Sequence, residues 1–205
     1  NLKQLLAFAS QAQREGLANE QPNRQELENI RAEVMAVNYD REINADKGPM
    51  PPFGFITEDR VKAFWGEVEE PNKGFFDNLK DKIGLGKRDN ELAFNRFLET
   101  KLAILKANNP QMADREISEE ERAQARDFFA KINIYEEEYQ EKAAAGELSQ
   151  EFQDKVNLQV KLQQAQFLAR VYSQKVTDKT KVTDEEVAAY IAQHPELDPA
   201  EKRTK

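Results

Sequence analysis

The sequence predicts an all-α fold, and three observations support that prediction. Only eight Gly and eight Pro occur among 205 residues, fewer than the average share of about 12%. The stretches between them are rich in Ala, Leu, Glu, Gln, Lys and Arg, which are strong helix formers. No run of alternating Val, Ile or Thr indicates a strand. We therefore expect an irregular multi-helix domain with one apolar insertion rich in Pro and Gly.

Two helices are predicted before that insertion. Apolar residues at helical spacing indicate a first helix over 2–15, and Gly16 is a suitable residue to end it. A second helix is expected over 23–45, because Leu27 begins an apolar stripe there that ends before Pro49.

An irregular insertion is predicted over 48–88. Its first part, 48–56, holds three of the eight prolines and cannot be helical. Thr57 is a good N-cap for a short helix to about residue 68. Another short amphipathic helix is expected over 71–83, before a Gly-Leu-Gly break.

The remaining chain predicts four helices, of which three have clear start signals and the one over 119–145 also has a stop at Gly146. Ser118 and Thr183 each begin a capping box, in which Glu stands three residues after the cap, and Ser149 is a further N-cap candidate. We expect one helical domain over 1–193, with 194–205 as a linker and charged tail. The predicted helices cover 89–107, 119–145, 150–173 and 184–193.

Composition excludes several classes of function. The net charge of −8 argues against nucleic-acid binding, which needs a basic face. Without Cys there can be no disulfide and no thiolate zinc site, and His194 is the only histidine. No apolar run approaches the roughly 20 residues that span a bilayer. We expect no cofactor, no metal and no catalytic residue in this chain.

An aromatic-rich set of residues around the insertion is the predicted binding site. Large aromatic and Met side chains suit a surface that accepts varied apolar sequences. The alternative is that these side chains pack as a lid over the helices. The predicted client-binding residues are Met50, Phe53, Phe55, Phe64, Trp65, Phe75 and Phe76.

Two segments resemble a known family. Residues 5–17 (LLAFASQAQREGL) and, more closely, 182–197 (VTDEEVAAYIAQHPEL) resemble helices of SurA/PpiC-type peptidyl-prolyl isomerases. The second matches the helix that precedes the parvulin domain in that family. The residues between the two segments match nothing that we recognise.

The resemblance implies a chaperone function. The family has a helical domain that binds unfolded proteins outside the cytoplasm, followed by one or more parvulin domains. It implies a periplasmic or otherwise extracytoplasmic location in a bacterial envelope and unfolded or partly folded clients. A parvulin active site needs more than one histidine, so this chain is expected to be silent as an isomerase although its full-length parent can be one.

Two other classes of function remain open. One is a non-catalytic helical adaptor that docks a single specific protein. The other is an enzyme whose carboxylates converge from Glu-rich segments, which requires raised pKa values in a shared pocket. Those segments are 67–70, 119–121 and 136–138.

Overall fold

A computed structural model describes residues 1–67, 87–112, 114–180 and 184–194. Within these ranges the chain forms helices and turns without a β-strand, which confirms the all-α prediction. No helix in these ranges is both long and apolar enough to cross a membrane. The predicted helix over 71–83 and the Thr183 cap lie outside the described residues. The helices are α1 (Leu2–Arg14), α2 (Asn23–Ile43), α3 (Glu58–Phe64), α4 (Lys87–Asn108), α5 (Glu119–Ala144), α6 (Gln150–Thr180) and α7 (Asp184–Gln193).

Three of the predicted N-caps are confirmed by their hydrogen bonds. The Thr57 hydroxyl accepts from a backbone N–H at the start of α3. Ser118 and Glu121 form the complete capping box of α5, each side chain accepting from the other's backbone N–H. The Ser149 hydroxyl accepts from a backbone N–H in the first turn of α6. These bonds satisfy donors that a helix start otherwise leaves unpaired.

Glycines follow α1 and α5 in the left-handed conformation. Gly16 has a φ of 76° and Gly146 a φ of 72°. Side chains with a Cβ disfavour that region, so Gly reverses the chain there at little cost. Both predicted helix stops are therefore confirmed.

Helix α6 continues to Thr180, seven residues beyond the predicted end at 173. The prediction was wrong because it stopped where the apolar stripe stops. Lys175 forms a 2.9 Å ion pair with Glu15 after α1, and the hydroxyls of Thr177 and Thr180 donate to carbonyls one turn back. The last two turns of α6 thus make polar side-chain contacts where the apolar stripe no longer continues.

Helix α1 lies along the C-terminal half of α6 and runs parallel to it. The rings of Phe8 and Tyr172 meet edge to face at 5.4 Å between centroids, and Glu15 pairs with Lys175 further along both helices. The buried residues of this contact are mostly small on the α1 side, including Ala9 and Ala12.

Helix α2 is the centre of the fold and packs against α5 and α6. Tyr39 meets Tyr135 of α5 with 5.6 Å between ring centroids, within a cluster that also buries Met35 and Val156. Helix α4 is joined to α2 by Lys101, which contacts carboxylates of α2. A second aromatic cluster fills the space between α4, α5 and the end of α3.

Candidate functional site

Two of the predicted client-binding residues lie in the hydrophobic core. Phe53 is 2% exposed and Trp65 is 1% exposed. Phe55 and Phe64 are partly buried, whereas Met50 is 52% exposed. Phe75 and Phe76 lie outside the described residues. In this conformation Phe53 and Trp65 have no surface to offer a client, and the lid alternative describes them better.

The position of Phe53 is determined by a buried carboxylate. Its backbone N–H donates a 2.9 Å hydrogen bond to Oδ2 of Asp40, and the other carboxylate oxygen accepts from Asn44 at 2.8 Å. Phe53 has a φ of 63°, which is unusual for a residue with a side chain. Its ring packs against Tyr135 of α5 at 6.0 Å between centroids. The loop before α3 is therefore fastened to α2 and α5.

Trp65 is enclosed by aromatic rings and one arginine. Phe64 and Phe94 contact it edge to face, at 5.0 and 6.0 Å between ring centroids. The guanidinium of Arg126 lies 3.8 Å from the centre of its ring and also donates a 2.6 Å hydrogen bond to Glu91. Burial and this cation–π contact give Trp65 a packing role.

One surface of the described residues that can accept a ligand is a groove between α2, α4 and α5. Its deeper part is a cavity of about 360 Å³. The edges of Phe97, Phe129 and Ile132, all nearly buried, form its apolar floor, and polar atoms make up the larger part of its exposed lining. We call this cavity and its continuation the α2–α4 groove. It is large enough for a small ligand or a short segment of chain.

The α2–α4 groove continues toward the start of α2. A second cavity, of about 410 Å³, shares Gln25 and Arg96 with the first. Ala93 lines the first cavity and Ala103 the second. These alanines are ten residues apart on α4, which corresponds to about 15 Å. An extended chain covers that distance with about four to five residues.

Carboxamide side chains form much of the wall of the groove. Gln25 and Asn29 stand one turn apart on α2, and Asn133 faces them from α5. The amide of Asn133 donates 2.7 Å to the Phe129 carbonyl, and the amide of Gln25 donates 3.4 Å to Asn29. Among the described residues, Oδ1 of Asn133 and Oε1 of Gln25 accept no hydrogen bond. Both oxygens are available to N–H groups of a ligand.

Charged side chains of both signs border the groove. Arg31 and Arg96 line it and make no ion pair within the described part of the chain. Burial raises the pKa of the Glu136 carboxyl, an effect that Arg31 partly offsets. Glu28 is 3.7 Å from Arg24. Because side chains of both charges border the groove, it does not favour a ligand with a large net charge.

The described residues offer little for catalysis. They contain no group of three or more His, Asp or Glu side chains that could hold a metal ion. His194 follows α7, where its ring lies 4.4 Å from that of Tyr190.

Sequence reasoning missed the carboxamides of the groove. A weak signal was present in the sequence. Gln25 and Asn29 are spaced four apart on α2, a helix that was predicted from its apolar stripe alone. Asn133 follows Phe129 by the same interval. Polar residues at nearly buried positions, such as Asn29 at 7% exposure, indicate either a structural hydrogen bond or a site. Only the arrangement of α2, α4 and α5 distinguishes the two.

Comparison with known proteins gives no match to a family model, a curated protein or a solved structure. The resemblance to SurA/PpiC-type proteins therefore stays a prediction from residues 5–17 and 182–197.

Proposed function

We propose that this chain binds extended segments of unfolded or partly folded proteins in the α2–α4 groove. The observation that carries the proposal is the combination of an apolar floor with carboxamides whose oxygens accept no hydrogen bond. An apolar floor favours client side chains that leave water. Carboxamides can pair with the N–H and C=O groups that every polypeptide presents, whatever its sequence.

Binding to any single segment is expected to be weak and reversible. An unfolded client loses conformational entropy when a segment becomes ordered, and this cost offsets much of the interaction energy. A backbone buried without partners would add a further penalty, which the carboxamides Gln25 and Asn133 reduce by accepting hydrogen bonds. Such a site holds many clients briefly and releases them, as a chaperone must.

The resemblance to SurA/PpiC-type isomerases supports the same function. In this proposal the chain is the helical chaperone part of a SurA-like protein and acts in the periplasm or another extracytoplasmic compartment. The single histidine agrees with a chain that binds clients and leaves isomerisation to a parvulin domain.

Some members of the aromatic set can still contribute to client binding. Met50 is half exposed and Phe55 is partly exposed beneath Lys47, whose ammonium lies 5.3 Å from the ring centre. Phe53 and Trp65 are instead assigned to the support of this region from within the core.

Suppression of aggregation tests the proposal. Thermally unfolding citrate synthase is followed by light scattering with increasing amounts of the chain. Ala103 is an exposed helical residue in the groove, and Ala123 is an exposed helical residue outside it. Wild type and Ala123→Trp should suppress scattering, whereas Ala103→Trp, whose indole blocks the second cavity of the groove, should not. No suppression by the wild type at several-fold excess would leave the adaptor alternative.

A further inference from the structure

Helix α7 has an apolar stripe that the rest of the described chain does not cover. Val187 is 43% exposed and Tyr190 is 56% exposed, and α7 contributes no buried residue to the core. Its first turn is acidic, with Asp184 and Glu185 among three consecutive acids, and the helix contains no basic residue. An isolated ten-residue helix is marginal in water, so such a stripe is expected to have a partner.

A second apolar stripe lies on α6 and is uncovered only at its N-terminal end. The residues of this stripe are spaced alternately four and three apart, which places them on one face of the helix. They are Leu158, Leu162, Ala165, Ala169 and Tyr172. The last three pack in the cluster that α6 forms with α1. Leu158 is 68% exposed and Leu162 is 38% exposed. We call these two leucines and the adjoining start of α1 the α6 seam.

The start of α1 adds to this apolar surface. Phe8 lies beside Tyr172, and the two helices run parallel. Counting back from these two contacts places Leu2 between about the levels of Leu162 and Gln166. Leu2 is 60% exposed and Leu6 is 49% exposed. The exposed leucines of the α6 seam thus adjoin the N-terminal end of the buried contact between α1 and α6.

The α6 seam is basic although the protein is acidic. The chain carries a net charge of −8, yet residues 155–176 of α6 contain four basic side chains and no acid, and among the described residues only Lys175 of the four is in an ion pair, with Glu15. Helix α1 likewise has Lys3 and Arg14 and no acid. Lys155 and Lys161 stand next to Leu158 and Leu162 and are exposed. Asp154, which precedes Lys155 in sequence, accepts a 2.9 Å hydrogen bond from Gln150, and Glu151 stands one turn before Lys155. This surface favours an acidic partner.

Helix α7 cannot cover Leu158 within its own chain. Leu158 precedes Thr180 by 22 residues of helix, which is about 33 Å. Three residues link Thr180 to Asp184 and reach at most about 14 Å. Helix α7 adds about 10 Å as far as Ile191, the last residue of its stripe. This reach of about 25 Å brings the end of the α7 stripe near Leu162, which is about 27 Å from Thr180, but it leaves Leu158 uncovered.

We propose that α7 of a second copy of this chain docks on the α6 seam. The stripe of Val187 and Tyr190 would pack on Leu158 and Leu162, with the acidic first turn of α7 near Lys155 and Lys161. Each copy has both surfaces, so two chains can exchange α7 reciprocally and close a twofold dimer. A lipid surface would fit less well, because it would also meet the acidic remainder of the molecule. The dimer does not depend on client binding in the α2–α4 groove.

Sedimentation equilibrium of the full chain tests the dimer. The expected mass is twice the 23.6 kDa of one chain, falling to one chain on dilution. Val187→Lys/Tyr190→Lys and Leu158→Lys/Leu162→Lys should each weaken dimerisation at least tenfold. All four positions are exposed, so the helical circular dichroism should not change.

Charge exchange separates direct docking from an indirect effect. Lys155→Glu/Lys161→Glu and Asp184→Lys/Glu185→Lys should each weaken the dimer, and the combined variant should restore it. A wild-type chain that stays monomeric at high concentration would overturn the proposal, whether or not it binds vesicles of phosphatidylglycerol. A dimer that none of these substitutions weakens, or a combined variant that stays monomeric, would also overturn it.

Discussion

The backbone N–H of Phe53 donates a 2.9 Å hydrogen bond to Oδ2 of Asp40. This bond connects the loop before α3 with the centre of α2. It explains why Phe53, which the sequence places in a Pro-rich apolar stretch, lies in the core and not on a binding surface.

Replacement of Asp40 should detach that loop. In Asp40→Ala the buried N–H of Phe53 loses its acceptor, and the amide of Asn44 keeps only the Tyr135 hydroxyl, at 3.4 Å. A buried donor left without a partner costs about 1–3 kcal/mol. We therefore expect the free energy of unfolding to fall by about 2 kcal/mol. Urea unfolding, followed by the fluorescence of Trp65, the single tryptophan, measures it. The exposed Asp46→Ala is the control, and equal stability of the two variants would contradict the assignment.

The core positions of Phe53 and Trp65 predict a contrast with Met50. Truncation of a buried aromatic residue to Ala costs about 3–5 kcal/mol, because contacts are lost and a cavity remains. Phe53→Ala and Trp65→Ala should lose that much, whereas the exposed Met50→Ala should change the free energy of unfolding by less than about 0.5 kcal/mol. Urea unfolding followed by circular dichroism measures the free energy of unfolding of all three variants. A Trp65→Ala protein as stable as the wild type would refute the packing role.

Glu137 predicts a pH dependence of stability. Burial, together with the neighbouring Glu136, Glu141 and Glu138, raises the pKa of its carboxyl from 4.5 to about 7. The folded state therefore keeps a proton that the unfolded state releases between pH 4.5 and 7. Stability should consequently fall as the pH rises through that interval and level off above it.

Glu137→Gln should remove this part of the pH dependence. Gln resembles the protonated carboxyl, so the variant should be more stable than the wild type at pH 8 by roughly 2 kcal/mol. Unfolding in urea at a series of pH values measures the difference. Glu42→Gln, at an exposed position of α2, should leave the profile unchanged. A Glu137→Gln protein with the wild-type profile would count against a buried carboxyl.

The carboxamides of the groove should matter for client binding more than for folding. Gln25→Leu/Asn133→Leu keeps the approximate size of both side chains and removes the two available acceptor oxygens. A neutral hydrogen bond contributes about 1 kcal/mol, so loss of two should weaken peptide binding by roughly 10- to 30-fold. Isothermal titration with an unstructured peptide measures the affinity. Unchanged affinity with unchanged stability would show that the backbone of the client is not bound there.

Local features of the fold could be predicted from the sequence. The capping box of Ser118 and Glu121 and the left-handed Gly146 depend on residues within one helical turn, and both are confirmed. The all-α class follows from the same kind of information. The end of α6 was missed because an ion pair with Glu15, far away in sequence, supports it.

The candidate site could not be predicted in the same way. The burial of Phe53 depends on Asp40 and on Tyr135, 82 residues further along the chain. The groove depends on how α2, α4 and α5 meet, which no local pattern records. Lys101 of α4 illustrates this, since it pairs at 2.8 Å with Glu26 of α2, 75 residues earlier.

The central claim is that the α2–α4 groove binds unfolded polypeptide. The most direct measurement is fluorescence anisotropy of a labelled, permanently unfolded protein, reduced and carboxymethylated lactalbumin, titrated with the wild type, Ala103→Trp and Ala123→Trp. The account predicts saturable binding by the wild type and by Ala123→Trp, and binding at least tenfold weaker by Ala103→Trp with an unchanged circular dichroism spectrum. Equal binding by all three proteins would place the client elsewhere, and no binding by any of them would contradict the proposed function.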